Sequence, residues 1–220
     1  MYNGIQIYEY VKNLTGDVRM LMLLEELVEE LSTGIVISRI EAKEGEAKIG
    51  EASILTLRAI NCGVIEEKEL DEISIAKRVD FSKISHSGDI ILKMNRPYDS
   101  VYIDEDYEGY IIPSFCCKIR NVNRTIIDPY YLVGYLNSDL AKEYLRTANG
   151  AAPASLLKIR DIRKLPIPLP EITEQRAIGE VFKVCCERKI ILNEMIKHEM
   201  KMAENIIYDA VRGAFENERK

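Results

Sequence analysis

From Glu171 to Phe215 the chain holds no proline, and Ile178, Val181, Cys185, Leu192, Met195, Met202 and Ile206 recur in steps built from threes and fours. A seam of that period, sustained over this length, predicts a long helix of the coiled-coil type. Upstream the pattern is mixed. "LMLLEELVEELSTG" sets Leu23, Leu24, Leu27, Val28 and Leu31 among glutamates, which predicts a short amphipathic helix stopped at Gly34. "IVISRI" and "SILTLRAI" predict short strands around a polar loop or hairpin tip, "EAKEGEAKIGE". "SGDIILKM" and "GYIIPSFCCKIR" predict two buried strands joined across the acidic "DEDYEG". "DPYYLVGYLNSDLAKEYLRTA" switches to helix, with Asp128 as N-cap and Pro129 at the first helical position. "NGAAPAS" interrupts it, and "LLKIRDIRKLPIPL" predicts turns and proline-stiffened extended chain. The fold class is mixed α/β: an N-terminal extension over 1–20, a globular domain over 21–170 and a helical region over 171–220.

Charge changes that picture only when divided along the chain. The total is −6, unfavourable for a polyanionic partner. Residues 1–72 carry 7 basic and 15 acidic side chains, whereas residues 73–170 carry 14 basic and 11 acidic ones. A nucleic-acid surface needs a basic face rather than a basic total, so the middle segment is where one is expected. No apolar run reaches the ~20 residues that cross a bilayer, and the opening "MYNGIQIYEY" lacks the pattern of a secretory signal. The expectation is a soluble, cytoplasmic protein. The five cysteines, at 62, 116, 117, 185 and 186, are odd in number and show no C-x-x-C spacing, which predicts buried, reduced thiols.

The candidate chemistry is sparse. His86 and His198 lie in different modules and neither is paired with a nucleophile, and the carboxylates show no metal or acid/base spacing. "NRPY", Asn95 to Tyr98, is near the Asn-Pro-Pro-Tyr loop that amino-methyltransferases place beside a flipped base. Arginine replaces the first proline, and no Gly-rich turn follows an upstream strand to hold a nucleotide-like cofactor. The same loop is better suited to DNA contact: Lys93, Arg96 and Tyr98 follow a strand, and arginine can pair bidentately with guanine while lysine neutralises phosphate. Arg146, Asn149 and Ser155 surround the second break, followed by Lys158, Arg160, Arg163 and Lys164. Arg39 and Lys43 sit among glutamates and are weaker candidates.

In order along the chain, "LSTGIVISR", "SGDIILKMNRP", "GYIIPSFCCKIR", "DPYYLVGYLNS", "NGAAPASLLKIRDIRKLPIPLP" and "EITEQRAIGEVF" followed by a long helix resemble the specificity subunit of type I restriction-modification systems. Pro-Leu-Pro, a short acidic link and Glu-Gln-Arg-x-Ile carry most of that resemblance. It implies one target-recognition domain and one helical spacer, half of the usual two-plus-two arrangement. It also implies a non-catalytic chain that reads double-stranded DNA beside a methylation subunit, which binds S-adenosylmethionine, and a restriction subunit, which uses ATP and magnesium. No cofactor or metal is expected on this chain. Two charges in the helical seam, Arg188 and Glu199, fit an antiparallel homodimer centred between Asn193 and Glu194. There Arg188 faces Glu199, Leu192 faces Met195, Cys185 faces Met202 and Val181 faces Ile206. The alternatives are an assembly or decoy module that reads no sequence, and a methyltransferase fragment supported by "NRPY" alone.

Overall fold

The computed structural model describes residues 20–150 and 156–217, with side-chain environments through Arg212. The expected extension over 1–20, apart from Met20, therefore lies outside the described residues. The chain falls into two units, one ending at Lys183 and the other beginning at Val184.

In the first unit, β1 (Met20–Leu23), α1 (Leu24–Leu27) and β2 (Val28–Thr33) replace the helix expected from Leu21. The apolar spacing suits a helix, but β9 (Cys116–Val122) has an open edge, and β2 pairs along it with Leu31 opposite Ile119. Pairing also sets Glu30 beside the Lys118 ammonium at 2.9 Å, so cross-strand partners override local propensity. Gly34 is not a helix stop. Its backbone passes so close to that of Ile112 that a Cβ would lie 2.0 Å from the carbonyl oxygen, a closeness only glycine permits.

The central sheet runs β2, β9, β7 (Ile90–Lys93), β8 (Ser100–Tyr102), with every pair antiparallel. Its two faces are both buried, which is why Ile90, Ile91 and Leu92 form an unbroken apolar run. On one face Ile90, Leu92, Cys117 and Ile119 pack against α2 (Pro129–Asn137), α3 (Asp139–Ala148) and α4 (Ile159–Arg163). On the other, Ile91, Val101 and Cys116 meet Leu55, Ile60 and Ile65. Ile60 and Ile65 come from the small ribbon of β4 (Ile60–Asn61) with β5 (Val64–Ile65), and Leu55 directly follows β3 (Gly50–Ile54), which pairs with β6 (Asp71–Ile75). "IVISRI" is a bridge at Ile35 and a 3₁₀ turn, Ile37–Arg39, rather than a strand.

The helical expectation from Asp128 holds at its start: the Asp128 carboxylate accepts from Tyr131 N at 2.9 Å. The single helix becomes two because Ser138 turns extended and caps α3 by accepting from Ala141 N. Asn137, at the end of α2, closes the outer edge of β8. Its Oδ1 accepts from Ser100 N at 3.0 Å and its Nδ2 donates to Ser100 O at 2.9 Å, as a neighbouring strand would.

The proline bridge is part of the core. Pro166–Leu169 forms β10, buried throughout, paired antiparallel with β1 so that Leu21 faces Pro168 and Leu23 faces Pro166. The carbonyls of Pro166 and Pro168 accept from the hydroxyls of Tyr135 (2.8 Å) and Tyr131 (2.6 Å). The prolines lack N–H groups that this arrangement would otherwise leave without partners. Met20, the last residue of the expected extension, is part of β1.

The long helix α5, Ile172–Asn217, starts two residues after Pro170. Its first turns belong to the first unit, beyond the expected boundary at 170, because Gln175, Gly179 and Phe182 pack on α2. From Val184 onward the second unit presents Leu192, Met195, Met202 and Ile206 more than half exposed, together with Ile191, Ile196, Met200 and Ile207. Cys185 is exposed and Cys62 and Cys186 are half-buried, so the expectation of buried thiols holds for Cys116 and Cys117 alone. Burial pushes the Cys116 thiol up to about 12. No described helix is long and apolar enough to cross a membrane.

Candidate nucleic-acid interface

The turn between β7 and β8 gathers most of the residues expected to touch DNA, but in unequal roles. Met94 N donates to Phe115 O, and Leu157 N to Met94 O, both at 2.9 Å. The Asn149 amide donates to the Tyr98 hydroxyl at 3.0 Å. Residues 94–98, the end of α3 and residues 156–158 are thereby tied together, far apart in sequence and adjacent in space.

Lys93 and Tyr98 are corrections to the expectation. Tyr98 is 1% exposed, with a positive φ of 63° that a bulky residue holds only when its surroundings fix it. The ammonium of Lys93 is buried, 2.9 Å from the Asp99 carboxylate and 2.8 Å from Ile60 O. Neither side chain is placed to reach a ligand. "NRPY" is thus a structural turn whose tyrosine fills the core, which removes the reason for reading it as a methyltransferase loop. Asn95 Oδ1 is buried without a hydrogen-bond partner among the described residues.

Asp99 organises the underside of this turn. One oxygen meets Lys93, and the other meets Lys142 of α3 at 2.7 Å. Burial alone would raise its pKa, but the hydrogen bonds from Lys142 and Lys93 outweigh it and hold the carboxyl below its ordinary value. A fixed charge cluster beneath an exposed tip holds the base of that tip in one geometry.

What reaches the surface is Arg96 at the tip, Lys158 and Arg160 around α4, and the neighbouring Arg163 and Lys164. Phe115, whose carbonyl anchors Met94, is about half exposed beside them. Arg146 is half-buried, with Nη1 3.1 Å from Glu143 and Nε donating to Lys142 O; it braces α3. Arg160 also meets Asp161 at 3.2 Å. Ser155 lies outside the described residues. Arg39 and Lys43 are exposed on a separate edge, next to β6. Among the described residues no cluster of three or more histidine, cysteine or carboxylate side chains is arranged to hold a metal ion.

Gln175 is the functional-looking residue whose position sequence reasoning left unexplained, although it stands in "EQR". It is 2% exposed. Its Oε1 accepts from Asp128 N at 3.1 Å, and its Nε2 donates to Ile126 O (3.1 Å) and Pro170 O (2.9 Å). The motif therefore locks the first turn of α5 to the start of α2. A polar residue at an inward position of a helix beginning just after the prolines was the available signal.

Residues 40–202 match the family described as Type I restriction modification DNA specificity domain. The chain belongs to this family. The fold agrees with solved specificity subunits. The HsdS subunit from Thermoanaerobacter tengcongensis superposes with a TM-score of 0.57 at 19% identity, over 80% of this chain and 44% of that one. A chain from a study of complex assembly and conformational transition of the type I R-M system gives 0.56 at 20%, over 87% and 48%. The S subunit from M. genitalium gives 0.53 at 17%, over 83% and 42%. This specificity-domain chain thus spans less than half the length of each of those proteins. No curated protein matches it. The mixed α/β domain followed by a long helix is the architecture shared with them.

Proposed function

We propose that this chain is a DNA sequence-recognition subunit of a type I restriction-modification assembly, reading one half of a split target. The observation that carries the reading is the fixed turn at 94–98, which joins the end of α3 to the residues leading into α4 and so brings exposed Arg96 and Lys158 near one another, with exposed Arg160 following in α4. Arg96 is suited to a base edge, and Lys158 to phosphate. The chain itself performs no chemistry in this reading. Methylation with S-adenosylmethionine and ATP- and magnesium-dependent restriction fall to partner subunits in the cytoplasm. An assembly module that binds the methylation subunit without sequence preference is the competing reading.

Selection from a random duplex pool at low salt, with and without the methylation subunit, tests it. A split motif with inverted halves is expected, and no enrichment in either condition would leave only the assembly module. Arg96→Ala is expected to relax one position of the selected motif by about 10- to 100-fold in discrimination. Lys158→Ala should weaken all duplexes alike and lower the salt slope by about one. Both are read by fluorescence anisotropy across a salt series.

For the helix, we infer antiparallel pairing of two copies through Val181, Cys185, Arg188, Leu192, Met195, Glu199, Met202 and Ile206. Support comes from the exposure of the apolar members and of both charges, arranged so that Arg188 of one copy faces Glu199 of the other. Glu199→Arg should shift sedimentation toward monomer, and adding Arg188→Glu should restore the dimer. An unchanged dimer in the single variant would remove this register.

A further inference from the structure

The segment between β6 and β7 carries a large apolar side chain outward on an unusually well-fixed base. Asp80 caps a 3₁₀ turn, Phe81–Lys83, its carboxylate accepting from Ser82 N at 2.7 Å. The four consecutive carbonyls that follow are all held from other parts of the chain or from beneath. Phe81 O lies 3.3 Å from His86 Nε2, Ser82 O accepts from Lys118 Nζ at 2.8 Å, Lys83 O from Ile112 N at 2.9 Å, and Ile84 O from Arg120 Nη2 at 3.0 Å. The two cations are themselves fixed in the interior. Lys118, 1% exposed, pairs with Glu30, and Arg120 makes two bonds to Asp89, at 2.7 and 2.6 Å.

Upon this base Phe81 is 70% exposed. Its only ring partner among the described residues is His86, edge-on at 4.0 Å between centroids. A phenyl ring presented outward from a backbone held at every carbonyl offers a stacking face with little backbone freedom left to lose on contact. The frame around it is cationic. Lys77 and Arg78 are exposed just before it, and Ala76 N donates to Ile40 O at 2.8 Å, which brings exposed Arg39 alongside. Of the acids nearby, Asp80 is turned back onto its own turn, Asp89 is paired with Arg120, and Glu41 lies at the bridge to Ile75. In a chain of net charge −6, a local basic frame around an exposed aromatic selects a polyanion with apolar stacking faces, which describes nucleic acid better than an acidic protein surface.

We propose that Phe81 is a DNA-contacting wedge: it inserts at, or stacks on, a base step while Lys77, Arg78 and Arg39 hold the flanking phosphates. This rests on the DNA-reading function proposed above and adds a second contact region to the edge at Arg96. The expected mechanism is partial unstacking of one step by an apolar side chain, with the backbone charges holding the deformed duplex.

The test uses the full chain and a duplex obtained from the random pool, with 2-aminopurine placed at successive positions. Wild-type protein should raise the fluorescence at one step. Phe81→Ala should abolish that rise and weaken binding about 10- to 100-fold, whereas Phe81→Leu, still an apolar wedge, should retain much of both. The exposed position leaves the fold intact, to be checked by circular dichroism. If Phe81→Ala binds and unstacks as wild type does while Arg96→Ala binds weakly, the wedge is wrong and the reading stands. If wild type selects no duplex, both fail.

Discussion

Replacing Asp99 with asparagine is expected to destabilise the domain by about 3–5 kcal/mol. The substitution preserves shape but removes the counter-charge of two buried ammonium groups, Lys93 and Lys142. Each would have to stay charged in a poorly solvated site, give up its proton, or drag its stem toward water at the expense of packing. Lys93 is further tied to Ile60 O, so its displacement also loosens β4 against the central sheet. Urea denaturation followed by circular dichroism at pH 7 measures the loss. The pH dependence carries a sign. The folded carboxyl titrates below its ordinary value, so its stabilisation is complete above about pH 5 and disappears as pH falls through about 4 toward the lowered folded value. The gap between wild type and Asp99→Asn should therefore narrow below pH 4. A gap independent of pH would mean that shape, not charge, is what asparagine fails to supply.

Gln175→Leu should have the second-largest effect, a loss of about 2–4 kcal/mol. Leucine fits the space approximately but leaves Asp128 N, Ile126 O and Pro170 O without the partner each has now. An orphaned buried backbone group costs about 1–3 kcal/mol, and some of that cost is recovered if water enters. Glu at this position supplies the acceptor for Asp128 N but no donor, so Gln175→Glu should fall between wild type and leucine. Hydrogen exchange localises the effect: faster exchange is expected first at Asp128 and along the opening turns of α2 and α5. Global destabilisation with no local signature at these amides would contradict the clamp. The consequence for the architecture is direct, since this residue ties the first turn of α5 to the start of α2.

How much was legible in the sequence depended on whether an element is determined by its own period. The long helix from Ile172 and the Asp128 cap followed from spacing and residue type alone, because helical contacts are local. "SGDIILKM" announced a strand buried on both faces in the same way. The order of its motifs carried the family resemblance, and with it the mixed α/β architecture. The candidate site was half legible: Arg96 stood out beyond a strand, and Asn149 and Lys158 flanked a helix break, but that the two segments meet came only from the bonds Asn149 to Tyr98 and Leu157 to Met94.

Only the tertiary structure decided the rest, and in each case the reason is a partner distant in sequence. Val28–Thr33 continues a helical pattern yet extends into a strand because β9 offers an edge and Lys118 needs Glu30. Lys93 and Tyr98 look like surface residues on a turn yet are interior, since Asp99, Ile60 and Asn149 complete their hydrogen bonds. The prolines look like a linker yet form a buried strand, because β1 pairs with them and two tyrosine hydroxyls satisfy their carbonyls. The sequence by itself determined the repeating elements and the family; long-range pairing of polar groups, which no local pattern encodes, determined which of its charges face inward.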